Sequence, residues 1–154
     1  VAEPISWQAI EGIVALLAMI RTANGYFTDI GALAETEPFQ GEETEPNLAV
    51  LATAFEPKEG KSSNRLRRED MQVTIEFSVP ITEKGAQQLA HRGLYDIRKA
   101  LGYTGRNLPN STFGLTVTSA QILPRPDGAS STVAQVVARI GLEERLATAS
   151  SQES

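Results

Sequence analysis

Few residues in this chain have types and spacings that could do chemistry, and none of them forms a convincing constellation. The one histidine, His91, has no cysteine and no second histidine to join it, whereas a zinc ion takes three or four protein ligands. A structural or solvent-facing role is expected for it. Serine, histidine and aspartate all occur, but no Gly-x-Ser-x-Gly elbow presents a serine as nucleophile. There is no P-loop and no Gly-x-Gly-x-x-Gly; Gly102-Tyr103-Thr104-Gly105 follows a helical pattern and reads as a cap and loop. The carboxylate pairs Glu42-Glu43 and Glu69-Asp70 sit in loop-like sequence or beside arginines, where solvated charge accounts for them. The absence of cysteine excludes disulfides, thiolate metal sites and cysteine nucleophiles. The expectation is a protein that is not an enzyme and uses no cofactor or metal.

Charge segregation is the feature that stands out. Between residues 35 and 47, Glu35, Glu37, Glu42, Glu43 and Glu45 occur with no basic residue and with Pro38, Gly41 and Pro46, the composition of a surface loop. Lys58, Lys61, Arg65, Arg67 and Arg68 cluster further on among Gly60, Ser62, Ser63 and Asn64. Residues 56–69 therefore read as the tip of a long hairpin. Both loops could be plain solvated faces, since exposed ion pairs contribute little. Alternatively the acidic loop of one copy meets the basic loop of the next, a union of unlike surfaces that generates rings or filaments, with complementary charge setting register. The basic tip could also make non-specific contact with DNA inside such a ring. On the assembly reading the interface residues are Glu42, Glu43, Glu45, Lys61, Arg65, Arg67 and Arg68.

The elements that must position these loops are organised around residues 71–101. Met71, Val73, Ile75, Phe77 and Val79 alternate with polar residues, the period of a half-buried strand, and Pro80 should end regular pairing. Thr82 reads as the N-cap of a helix whose stripe is Ala86, Leu89, Ala90, Leu94, Ile97 and Leu101, with Gly102 as its stop. An N-terminal helix from a Ser6 cap to about Thr22 carries Trp7, Ile10, Ile13, Val14, Leu17 and Ile20 on one face, and Asn24-Gly25 ends it in a left-handed cap. Tyr26-Phe27-Thr28 reads as a short strand, and Leu48–Phe55 as a strand covered on both faces. Phe113, Leu115 and Val117 begin another strand, whose phase slips at Ala120 to Ile122; Val133–Leu142 is its partner across the turn at Pro124-Arg125-Pro126-Asp127-Gly128.

The order α-β-β-β-α-β-β predicts an α+β fold: a mixed, mainly antiparallel sheet with two helices packed on one face. Residues 1–142 form one domain and 143–154 a flexible polar tail. At 154 residues one core suffices, and a net charge of −5 argues against nucleic acid as the main partner. The run Ile10–Ile20 is too short to span a bilayer, and Val-Ala-Glu-Pro lacks the basic start of a signal peptide. No membrane partner and no export are expected.

The run Ile20-Arg21-Thr22-Ala23-Asn24-Gly25-Tyr26-Phe27-Thr28-Asp29-Ile30-Gly31 resembles the helix-to-strand junction of the tail terminator proteins of tailed bacteriophages, also called minor tail or tail completion proteins. The element order is similar to that fold over nearly the whole chain. The resemblance implies a small virion structural protein that forms a homo-oligomeric ring, commonly a hexamer, at the head-proximal end of the tail tube. Such a ring ends tube polymerisation and serves head–tail joining, so its partners are itself, the tail tube protein and a head–tail connector or neck protein. It implies viral tail assembly in the host cytoplasm and a final place in the virion. Phe39-Gln40-Gly41-Glu42-Glu43 departs from the family, in which a more basic segment often follows the junction.

Overall fold

The alternating stretch from Met71 lies at the centre of the molecule. The computed structural model describes residues 3–37, 45–58, 66–82, 84–102, 108–109, 112–124 and 129–145. In chain order the elements are α1 (Ile5–Leu17), β1 (Ala34–Glu35), β2 (Asn47–Pro57), β3 (Leu66–Pro80), α2 (Ala86–Leu101), β4 (Thr112–Ile122) and β5 (Ser131–Arg145). The strands form one sheet in the order β1-β2-β3-β5-β4. β1 runs parallel to β2, and the other neighbours are antiparallel. This is the mixed, mainly antiparallel α+β architecture that the patterning predicts.

Met71, Val73, Ile75, Phe77 and Val79 are all fully buried, as are Ala134, Val136, Ala138 and Ile140 opposite them on β5. These residues share one face of the sheet, and α1 and α2 pack over it and against each other. Fully burying one such aliphatic side chain is worth roughly 1.5–3 kcal/mol, so this face dominates the stability of the domain. Where α2 crosses β3 there is no room for a side chain: a Cβ on Gly93 would overlap the Phe77 ring. No described helix packs on the opposite face. Across it runs a polar ladder in which Gln121 Nε2 donates to Gln135 Oε1 (2.9 Å) and Gln135 Nε2 to Glu76 Oε2 (3.5 Å).

Several local expectations are corrected. α1 stops at Leu17, short of Thr22, and starts from Pro4 instead of Ser6. A separate 3-10 turn, Thr22–Asn24, follows, and Gly25 (φ 90°) caps that turn in the left-handed region. Tyr26–Thr28 is not a strand, because a side chain, described below, takes its amide hydrogens; the short strand is Ala34–Glu35. Thr82 does not cap α2, which begins after Gly85 (φ 73°), and Gly102 leaves it in right-handed conformation. β2 is covered on both faces only at Leu48–Val50. The irregularities of β4 fall earlier than expected, between Phe113 and Thr116 and between Val117 and Ser119. Trp7 is 39% exposed, at the rim of the α1 stripe. β5 continues through residues 143–145, and 146–154 lie outside the described residues.

Candidate functional site

Among the described residues, the irregular segment that joins α1 to β1 is held by a set of side-chain hydrogen bonds. Its anchor is Asp96, a carboxylate on α2 with no solvent exposure. Phe27 N donates to Asp96 Oδ1 at 3.1 Å, while Thr28 N and Thr28 Oγ1 donate to Oδ2 at 2.8 and 2.7 Å. A buried carboxylate is costly without such partners, and charge-assisted bonds to it are stronger than neutral ones. The upstream half of the junction closes on itself. Asp29 Oδ1 accepts from Thr22 N (2.8 Å) and Thr22 Oγ1 (3.1 Å), and Asn24 Nδ2 donates to Met19 O (2.9 Å). Lys99 of α2 donates to Gly25 O (3.0 Å) and stands 4.9 Å from the centre of the Tyr26 ring. Gly31 N donates to Ile20 O (3.0 Å), and a Cβ there would lie 2.6 Å from the carbonyl oxygens of Leu17 and Ala18.

What this scaffold presents is an aromatic pair. Phe27 (58% exposed) meets Tyr95 (53% exposed) edge-on at 5.3 Å between ring centres. Beside it opens a hollow of about 320 Å³ walled by Phe27, Ile30, Leu33, Pro46 and Leu89, with Arg92 at its margin. His91, on the same helix, is exposed.

The charged residues singled out by the sequence are only partly brought together. Arg67 and Arg68 are not on a free loop tip: both lie in β3, in register with Glu144 and Glu143 of β5. Arg67 Nη2 is 3.2 Å from Glu144 Oε1, and Arg68 Nη2 is 2.6 Å from Glu143 Oε2. The two arginines were hidden as strand residues because charge in an exposed strand end looks like loop. Glu45 is exposed just before β2 begins, whereas Lys58 N donates to Arg68 O just after β2 ends. At about 3.3 Å per residue, β2 holds Glu45 and the arginines roughly 35 Å apart within one copy. Glu42, Glu43, Lys61 and Arg65 lie outside the described residues.

The sheet also has two unlike free edges. β1 covers only Leu48 and Ala49 of β2, so among the described residues Val50–Pro57 has no neighbour on its outer side. β4 has β5 on one side and no described strand on the other. No charged residue occurs from Asn47 to Phe55 or from Thr112 to Ile122. A shallow hollow of about 130 Å³ beside β2 is lined by Trp7, Ile10, Thr36, Val50, Ala52 and Phe55.

Sequence reasoning missed Asp96 and the edges. A signal for Asp96 existed: it is the one carboxylate in helical register with Ala90, Gly93, Ile97 and Ala100, all buried. Strand pairing, in contrast, leaves no local mark in composition. Among the described residues no group of His, Cys, Asp or Glu is placed to hold a metal ion, and no described helix is long and apolar enough to cross a membrane. No protein-family model matches the chain, and no curated protein matches it either.

Proposed function

We propose that this chain is a structural subunit of a tailed-bacteriophage particle, a tail terminator whose ring closes the head-proximal end of the tail tube and presents the surface that joins the neck. The observation that carries the reading is the junction Ile20–Gly31. The run that resembles the family is a built feature, clamped by Asp96, with its Phe27 at the surface against Tyr95 of α2. Exposed aromatic pairs on a rigid support suit protein contacts, where aromatic anchors are enriched.

The distribution of charge favours the same reading. Ring neighbours meet side by side, and the two sheet edges are unlike and carry no charge over Val50–Phe55 of β2 and Thr112–Ile122 of β4. Tube and neck stack above and below a ring, and here the ends of the strands carry the charge: Glu35, Glu37 and Glu45 before β2, and the Lys58, Arg67, Arg68, Glu143 and Glu144 group beyond it. Unlike surfaces close rings when the rotation closes. A tube subunit is the runner-up, because uncharged edges would equally suit open polymerisation.

The test is to add the purified protein to elongating tubes of the cognate tube subunit and image them by negative-stain electron microscopy. Closed rings that sit on one tube end and arrest growth are expected. Tubes of unaltered length would contradict the reading, and open filaments of the protein alone would move it to the tube-subunit role.

A further inference from the structure

The ring reading sets neighbouring copies side by side, and the sheet specifies how their edges join. We infer that the free edge of β2 in one copy takes the free edge of β4 in the next, so that the wall of the ring is one continuous sheet. The inference rests on the ring reading and adds to it the surface and the occupant, a second copy of this chain.

Direction comes first. β2, β3, β5 and β4 alternate in direction along the sheet. A second copy placed beside β4 without being turned over therefore presents its β2 antiparallel to β4, and the alternation continues unbroken. Exposed edges are normally guarded against such pairing by lysine, proline, an inward charge or a bulge, and in β4 the irregularities leave Ser119–Ile122 as a regular stretch. The free stretch of β2 is uncharged from Val50 to Phe55 and meets a charge and a proline only at its end, Glu56-Pro57, while β4 is uncharged from Thr112 to Ile122. The irregularities that do interrupt β4 bend and twist the strand, which is also how sheets acquire the curvature that closure needs.

Side chains agree with backbone. On the helix-bearing face, Val117, Ala120 and Ile122 of β4 are half-buried apolar residues at the sheet's margin, packed against the core. The same face of β2 ends in the hollow between Trp7, Ala52 and Phe55, where Phe55 is 48% exposed. Edge pairing sets the first apolar row against the second. β1 occupies the outer side of β2 at Leu48 and Ala49, so it acts as a stop that limits how far an incoming strand can slide. With both described helices on one side, the polar face with Gln121, Gln135 and Glu76 lines the other surface of the wall.

The chain has no cysteine, so engineered thiols report contacts without background. Thr53 on β2 and Ser119 on β4 are both exposed. Thr53→Cys and Ser119→Cys proteins are prepared singly, checked by circular dichroism and sizing, mixed, and treated with a short bis-maleimide. Heterodimers that link one T53C chain to one S119C chain are expected in the mixture, while each variant alone gives no cross-linked dimer. The double variant is expected to form a ladder of products that stops at the ring number. T53C homodimers would overturn the inference in favour of a two-fold pairing of β2 with itself. Rings by sizing without cross-links would overturn edge pairing and leave the ring reading standing. A monomer at every concentration would overturn both.

Discussion

Asp96 has lost all contact with water, yet it gives structure to a segment nearly seventy residues away in sequence. Its two oxygens accept from Phe27 N, Thr28 N and Thr28 Oγ1. Truncation by Asp96→Ala would strand two backbone amides beside an emptied site. Hydrogen bonds to charged groups contribute about 1.5–3 kcal/mol, so a loss of roughly 2–4 kcal/mol in urea unfolding is expected; a loss under about 0.5 kcal/mol would show that the clamp is dispensable. Gly93 makes a second residue-scale test. Gly93→Ala forces a methyl group into the Phe77 ring, and overpacking of this kind costs about 1–3 kcal/mol. A helix-propensity argument alone gives the opposite sign, because alanine is the better helix former by about 1 kcal/mol. An unfolding midpoint that rises in G93A would therefore contradict the close approach. Neither residue can be assigned its partner from sequence, since both partners are distant in the chain, although a carboxylate and a glycine within one apolar helical face mark the places where something must compensate.

At the scale of elements, what was legible was whatever a period reveals. The strand from Met71 to Val79 and the stripe from Ala86 to Leu101 are set by burial on one face, and the structure places them as the spacing requires. Boundaries set by anything else were not legible. The first part of β3 is Leu66-Arg67-Arg68-Glu69-Asp70, charged residues that look like loop until Glu143 and Glu144 are seen in register across from the arginines. Tyr26–Thr28 has strand-like composition, but a side chain outcompetes the ladder for its amides. The pairing of β3 with β5 at its charged end gives a test at this scale. Arg67→Glu with Arg68→Glu places like charges directly opposite, each pair destabilising by about 0.2–1 kcal/mol. Hydrogen exchange should accelerate at Arg67 to Glu69 and at Glu143 and Glu144, while Met71 to Val79 stay protected. Equal acceleration throughout β3 would mean that the charged end is not a separable unit.

For the whole molecule, the decisive property is that its edges are uncharged over Val50–Phe55 and Thr112–Ile122 while charge gathers toward the strand ends. If neighbours in the ring meet through the edges, assembly should depend only weakly on salt, because screening acts on exposed charges, with a Debye length of about 10 Å at 0.1 M and about 3 Å at 1 M. Sizing in buffers across about 0.05 to 1 M salt should return one oligomer; dissociation as salt rises would assign the interface to the charged loops instead. The fold that exposes these edges could be anticipated in class and element order. The edges themselves could not, since which strand lies outermost depends on pairings that no local pattern encodes.

The proposal that the ring ends tail growth is open to a test by tail length. In the parent phage with this gene silenced, negative-stain electron microscopy of lysates should show tubes well beyond normal length without heads. Tails of normal length that fail to join heads would assign the protein to neck completion instead, and intact virions of normal length would rule out a role in ending tail growth.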